Sequence, residues 1–354
     1  MFRVMGFLLV LLAAAAQAGT DGFARVTQQL TPRVHLVYRP VAINAPYEGN
    51  SIVIEQSDGL VVVDAGGAPP AGEAIVRQIK TFSGKPVKFL IYTHYHGDHN
   101  LGAGAFLKRW PNQVIVSTAA TRANMTGKPM GYIKTYGKDY AGELEYATQQ
   151  LADPKLPPQI RVGWRQFLEV GDSIVKGYAN LVAYPATRTF DDTFDIPDSV
   201  TPVQVMFLGK ANTDGDAVIW VPSERVLCSG DIVVSPIPYA AASYPAEWID
   251  VLTKLKSFDY AWLVPGHGEA MKDNVYVDKV IAALTEVRAQ VNPLVAKGVA
   301  TADIPKQTNF ERLKADLAGN DPWKRFLLST FFLGSIIKNA AAEARGEPIV
   351  QGTS

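Results

Sequence analysis

Residues Thr93-His94-Tyr95-His96-Gly97-Asp98-His99 hold three of the chain's five histidines, directly after the largely apolar run Val87 to Tyr92. Such a run reads as a strand, and a cluster of metal-capable side chains at its end reads as a site. In extended chain alternate side chains point the same way, so His94 and His96 can share one ion. Gly97 permits a sharp turn, after which Asp98 and His99 can face a second position. Imidazole and carboxylate with no thiol nearby suit zinc best, with iron or manganese as lesser alternatives.

The surrounding pattern places this strand in an α/β fold. Val34 to Tyr38, Ser51 to Gln56 and Gly59 to Asp64 read as strands, with Ser57-Asp58-Gly59 as a hairpin turn. Pro70 to Phe82 carries a helical pattern through Ala74, Ile75, Gln78 and Ile79, Asn100 to Trp110 looks helical, and Val114 to Ser117 is another strand. Strand, helix, strand, with chemistry at a strand's C-terminal end, is α/β organisation. From about Ala119 to Gln159 the chain is polar and probes as helical; Tyr132, Tyr136, Tyr140 and Tyr146 mark it as an insertion or lid. Strand-like runs resume at Phe167 to Val170, Ile174 to Lys176, Val203 to Phe207, Ala217 to Val221 and Val226 to Cys228. After His267, residues Val277, Val280, Ile281, Leu284, Val287 and Val291 fall on one helical face. A final helix is predicted from Pro322 to about Glu343, capped by Asp321.

The histidine segment matches an HxHxDH signature, and the chain resembles the metallo-β-lactamase superfamily over roughly Val34 to Met271. Asp64 after Val61-Val62-Val63, Asp231 in Ser229-Gly230-Asp231, and His267 in Gly266-His267-Gly268 fall in the family's order. The resemblance implies a four-layer αββα sandwich with metals at the edge between two sheets. On that reading residues 19–271 form the sandwich, with a helical insertion at about 119–159, and residues 272–354 add a C-terminal helical extension packed on it. The ligands it implies are His94, His96, Asp98, His99, Asp231 as the bridge, and His267, with Asp64 structural. One position departs from the pattern. In Gly209-Lys210-Ala211-Asn212-Thr213-Asp214-Gly215-Asp216 the family's middle histidine is replaced by Asn212. A carboxamide offers a neutral oxygen that binds zinc less well than imidazole does. Either the site of His94, His96 and Asn212 is labile, or one metal works alone in the complete site of Asp98, His99, Asp231 and His267.

Zinc brings the pKa of water towards neutrality, and Asp98 is the residue the resemblance places to orient that nucleophile. The expected reaction is hydrolysis of an ester, thioester, lactone or amide, β-lactams included. A binding or accessory protein that keeps the fold with little activity is the reading from another class. The partner expected is a small-molecule substrate. With 34 basic and 34 acidic residues the formal net charge is +0, which gives no footprint for nucleic acid or an anionic membrane. The sequence leaves the oligomeric state open.

The first eighteen residues carry Arg3, the apolar stretch Val4 to Ala16, and the small-x-small site Ala16-Gln17-Ala18. That is the pattern of a secretory signal peptide, the alternative being a buried N-terminal helix. A periplasmic or secreted protein with no membrane anchor after signal removal is expected. Cys228 is the only cysteine, so no internal disulfide can form, and its apolar run Val226-Leu227-Cys228 points to a buried thiol. His35 reads as a satisfied structural or surface histidine. Lys210 or Arg188 can be a carboxylate-binding group or solvated surface charge, and Tyr239, in Pro236-Ile237-Pro238-Tyr239, can line the cleft or pack.

Overall fold

The computed structural model describes residues 21–39 and 48–352, so the expected signal peptide at 1–18 lies outside the described residues. Strands β1 (Val26–Thr31), β2 (Val34–Tyr38), β3 (Ser51–Glu55), β4 (Leu60–Val63), β5 (Val87–Ile91), β6 (Val114–Thr118) and β7 (Arg188–Phe190) make one sheet in that order. Pairing is antiparallel as far as β4 and parallel from β4 to β7. Strands β8 (Thr193–Ile196), β9 (Val203–Phe207), β10 (Ala217–Val221), β11 (Val226–Val234) and β12 (Trp262–His267) make the second sheet, in the spatial order β12-β11-β10-β9-β8. Only its β11–β12 pair is parallel.

Alternation along the strands builds the layers. Val61 and Val63 of β4 join Ile52, Ile54, Val205, Ile219 and Cys228 in a core between the sheets. Leu60 and Val62 face the other way, onto Ile75 and Ile79 of helix α1 (Pro69–Phe82). These strands are buried on both faces, which is why they read as continuous apolar runs rather than as alternating ones. Each such aliphatic side chain contributes about 1.5–3 kcal/mol when fully buried. Short helices α2 (Gly97–Asn100) and α3 (Ala103–Arg109) follow β5 on the same outer face.

After β6 come α4 (Ala119–Thr126), a 3₁₀ segment at Lys128–Lys134, α5 (Tyr136–Ala152) and α6 (Pro158–Gly177). The second outer layer contains α7 (Pro245–Leu255), α8 (Val275–Ala296), α9 (Glu311–Ala318), α10 (Pro322–Leu328) and α11 (Gly334–Arg345). Its core joins Leu227 and Val218 of the second sheet to Trp248, Leu284, Phe332 and Ile336, and also to Trp164, Phe167 and Ile174 of α6. Insertion and C-terminal helices therefore share one core, with the rings of Trp164 and Trp323 at 5.2 Å. The layers are α, β, β, α, as the resemblance implied. No helix among the described residues is long and apolar enough to cross a membrane.

Two expected strands are corrected. Phe167 to Val170 and Ile174 to Lys176 lie inside α6, whose buried residues Gly163, Trp164, Phe167, Val170, Gly171 and Ile174 recur at three- and four-residue spacing. That 3.6-residue period outweighs the short apolar runs. The inserted helical stretch consequently reaches Gly177, beyond the expected Gln159. The last expected helix is two helices joined by a π turn at Ser329–Leu333. Its cap is as expected: the Asp321 carboxylate accepts from the amides of Trp323 at 2.9 Å and Lys324 at 3.2 Å. The strand expected at Val226 to Cys228 continues to Val234 and carries Asp231 within it. Cys228 is fully buried, and burial pushes its thiol pKa up. His35 is structural: its Nε2 lies 3.1 Å from Glu55 Oε1, and its ring stacks on Phe82 at 4.0 Å.

Candidate metal centre

Parallel neighbours present their C-terminal ends at the same edge, where ligands gather in open α/β sheets. Here β4 delivers Asp64, β5 delivers Thr93 to His99, β11 carries Asp231, and β12 ends at His267. The two pairs belong to different sheets, so the site straddles the seam between them. Gly230, with a φ of 50°, turns the backbone just before Asp231. Gly266 permits a close approach there, because a Cβ on it would lie 1.9 Å from Asp231 Oδ1.

Four of the predicted residues converge in one group, Asp98, His99, Asp231 and His267, and could hold a metal ion. His99 Nε2 lies 3.3 Å from Asp98 Oδ2, 3.2 Å from Asp231 Oδ1 and 3.2 Å from His267 Nε2. His267 Nε2 is 2.9 Å from Asp98 Oδ2. A second group joins His94 and His96 to the same Asp231. In it His94 Nε2 faces His96 Nδ1 at 3.0 Å and Asp231 Oδ2 at 3.6 Å. Asp98 and His96 keep partial solvent access, while His94, His99, Asp231 and His267 are buried, so the group opens on one side only.

Asp64 sets the imidazole tautomers of both groups. Its Oδ1 accepts from the Thr93 amide at 2.8 Å, and its Oδ2 accepts from the Thr93 hydroxyl at 2.8 Å. That hydroxyl has spent its proton, so towards His94 Nδ1, at 3.0 Å, it can only accept. His94 therefore carries its hydrogen on Nδ1 and presents a bare Nε2 to the group. Asp64 Oδ2 also accepts from His99 Nδ1 at 2.7 Å, which leaves His99 Nε2 as the ligand atom. Asp64 occupies a left-handed backbone position, φ 58°, which aspartate tolerates better than most residues.

The electrostatics divide the two groups. Burial holds His94 well below the usual imidazole range and lowers His96 as well, so both are neutral and ready to donate a lone pair. Burial acts the same way on His99, but the carboxylates of Asp98, Asp231 and Asp64 outweigh it and hold its pKa well above 6.5. His267 is raised too, by Asp231 and Asp98 against burial. Burial alone would protonate Asp98 and Asp231; the imidazolium of His99, with His267, keeps both ionised. Without a metal, the proton on His99 stands where a cation would, and His267 is shifted towards the charged form.

Asn212, fully buried, is tied to Tyr239, whose ring faces His96 of the second group. Its Nδ2 donates to the Tyr239 carbonyl at 2.7 Å, which fixes the amide orientation and leaves Oδ1 buried with no hydrogen-bond partner. Asp231 Oδ1 has no directed hydrogen bond either, though it makes an ion-pair contact with His99 at 3.2 Å. A buried acceptor left unpaired costs about 1–3 kcal/mol. A cation among Asp98, His99, Asp231 and His267 would satisfy Asp231 Oδ1 and the facing imidazole nitrogens, so the residues present fit a metal.

Other expected residues are placed as follows. The Tyr239 ring packs against His96 at 5.8 Å and against Phe331 at 6.3 Å. Tyr132 comes to the site, its hydroxyl accepting from the Gly97 amide at 2.8 Å. Tyr136 meets its ring edge-on at 5.2 Å, whereas Tyr140 packs on Phe167 and Tyr146 lies against Trp164. Lys210 sits 4.9 Å over the Tyr244 ring, and Arg188 is exposed at the start of β7. Sequence reasoning missed Arg25, Glu48 and Asn50, which adjoin the centre from strands far away in the chain. A Glu-Gly-Asn opening a buried strand carries no metal signature.

Residues 45–267 match the sequence profile of the metallo-beta-lactamase superfamily. The chain belongs to that superfamily. It is 23% identical over 294 residues to a linear primary-alkylsulfatase of Pseudomonas sp., covering 77% of this chain and 52% of that protein. The chain thus spans about half the length of this curated relative. Among solved structures it is similar to a metallo-beta-lactamase from Pontibacter korlensis, at 15% identity and a TM-score of 0.50, over 74% of this chain and 99% of that one. It is similar also to VMB-1, at 17% identity and a TM-score of 0.50, over 75% of this chain and 98% of that one. At such identities these structures share its fold.

Proposed function

We propose that this protein is a metal-dependent hydrolase, zinc being the metal, that cleaves an ester carrying an apolar group. The observation that carries the reading is the convergence of Asp98, His99, Asp231 and His267, two carboxylates and two imidazoles open on one side. Closed structural zinc sites use four protein ligands without such an opening. Bound there, the ion would lower the pKa of water to near neutrality and stabilise the negative charge that develops on the ester's oxygens. Asp98 is ionised and has a partly open carboxylate, so it can orient the nucleophile and accept its proton. His94 and His96 are neutral and, with Asn212, form a second, weaker position.

The substrate class is drawn from two supports. The Pseudomonas relative is named for a sulfate ester, and on that support we rank this bond first. Carboxylic esters, lactones, thioesters and amides follow it. The ring sequence His96, Tyr239, Phe331, at 5.8 and 6.3 Å, runs outward to Phe331, which is 37% exposed. That aromatic wall suits an alkyl or aryl group and offers it apolar contact. Export to the periplasm or beyond is part of the proposal and rests on residues 1–18 alone.

Elemental analysis of the purified protein, run beside assays of sulfate release from dodecyl sulfate and of p-nitrophenyl butyrate hydrolysis, tests this reading. One to two zinc ions per chain are expected, with turnover abolished by Asp98→Asn. Failure to retain metal after zinc supplementation would overturn the hydrolase reading. Cleavage of the carboxylic ester alone would keep the hydrolase and move the substrate class.

A further inference from the structure

We propose that Glu48-Gly49-Asn50, backed by Arg25, is a clamp that positions the group of Asp98, His99 and His267 and leaves the other group alone. The inference rests on the metal-centre reading above. Its starting point is His267, whose ring Nδ1 is buried without a hydrogen-bond partner among the described residues. Ligand histidines are ordinarily oriented by a bond to that second nitrogen. His94 and His99 have one, through Thr93 and Asp64; His267 must be held through its backbone.

Asn50 supplies that hold. Its amide donates to the Gly266 carbonyl at 2.7 Å, and its side-chain nitrogen donates to the carbonyls of Pro265 and Gly268, each at 2.9 Å. Both side-chain N–H groups and the main-chain N–H are spent on the residues either side of His267. Ser235 adds a bond from its amide to the His267 carbonyl at 3.2 Å. Since Asn50 opens β3 and His267 ends β12, these bonds cross from one sheet to the other.

The two residues before Asn50 reach the other ligands. The Gly49 amide donates to the Asp98 carbonyl at 3.3 Å. The His99 ring packs directly on Gly49, where a Cβ would lie 2.5 Å from its Cε1 and 2.6 Å from its Nδ1. Glu48 accepts from the Gly67 amide at 2.9 Å and pairs with Arg25, both side chains fully buried. A Cβ on Gly67 would lie 2.7 Å from Glu48 Oε1 and 2.9 Å from the Asp98 Cα, so Glu48 backs the Asp98 main chain across that glycine. Arg25 compensates a buried charge that would otherwise repel Asp98. Asp98 and His99 come from one sheet's loop and His267 from the other sheet, and this segment sets their separation.

Asn50→Asp tests the clamp because it keeps the shape, removes both side-chain donors and sets a carboxylate against two carbonyls. Competition titrations with a zinc chelator, and the visible spectrum of the cobalt-loaded protein, report each position. Asn50→Asp is expected to weaken the Asp98-His99-His267 position 10- to 100-fold and leave the His94-His96 position within about twofold. Gln56→Ala is the control: it removes a buried bond of the same kind, from Gln56 to the Thr201 carbonyl at 2.9 Å, and leaves both affinities unchanged. Equal affinities in Asn50→Asp and the parent, or equal losses at both positions, would overturn the clamp while leaving the metal centre standing. A parent protein that binds no metal would remove the proposed function as well. If Asn50→Asp does not fold, Glu48→Gln is read in its place by the same criteria.

Discussion

The two halves of the metal centre share Asp231, the same strand edge and the same outlet, yet they are built differently. The half with His99 and His267 gathers two carboxylates, Asp98 of its own and the shared Asp231, and its imidazoles are drawn towards the charged form. The half with His94 and His96 has neutral imidazoles, a share in Asp231, and a carboxamide held by the Tyr239 carbonyl. A divalent ion is neutralised by two carboxylates and only half neutralised by one. The difference teaches that a centre can look symmetric in its ligand count while charge and outer supports make one position strong and the other weak.

The comparison breaks most severely at Asp64, which serves both halves. Asp64→Asn must turn an N–H₂ towards either the Thr93 amide or the Thr93 hydroxyl and His99, where an acceptor is required. Zinc affinity is expected to fall 10- to 100-fold, measured by chelator competition, with loss at both positions. Asn212→His sharpens the contrast from the other side. It should tighten the His94-His96 position on the order of tenfold and raise the zinc content of dilute protein, read by elemental analysis after dialysis. The smallest effect is in proton release. Held well above 6.5 by its carboxylates, His99 keeps a proton at neutral pH that a metal must displace, and His267 is shifted in the same direction. Affinity at their position therefore rises with pH up to the raised pKa of His99 and levels off beyond it. His94 and His96, lowered instead, have none to give up at pH 7. Calorimetry in buffers of different ionisation enthalpy should show one to two protons released for the first zinc bound and close to none for the second; equal release would contradict the division.

Much of this centre was legible beforehand because its ligands sit on short segments whose local pattern is strong. The strand Val87 to Ile91 followed by His94, His96, Asp98 and His99 needs no long-range information, and neither does Asp231 after a buried run. Trp164, Phe167, Val170 and Ile174 had the helical period in plain sight, but the short runs around Phe167 and Ile174 imitated strands. β7 and β8, with three and four residues, are too short and too exposed to announce themselves. The contacts of Asn50 with Pro265 and Gly268 span 215 and 218 residues, and no local pattern encodes such a pairing. What remained hidden is the support of the site, since support comes from wherever the chain happens to return.

The core that unites α6 with the C-terminal helices has a bearing on how this protein is made. Every candidate metal ligand has been synthesised once His267 is added, yet Trp164 and Phe167 still lack Trp323, Leu327, Phe332 and Ile336. Until those arrive, the nascent chain holds a finished set of ligands on an unfinished layer, with a broad apolar face uncovered. Contacts this distant in sequence slow folding and leave such a face open to aggregation. Metal that bound to the early ligands would meet a mobile cluster, so loading belongs after the last helix has docked.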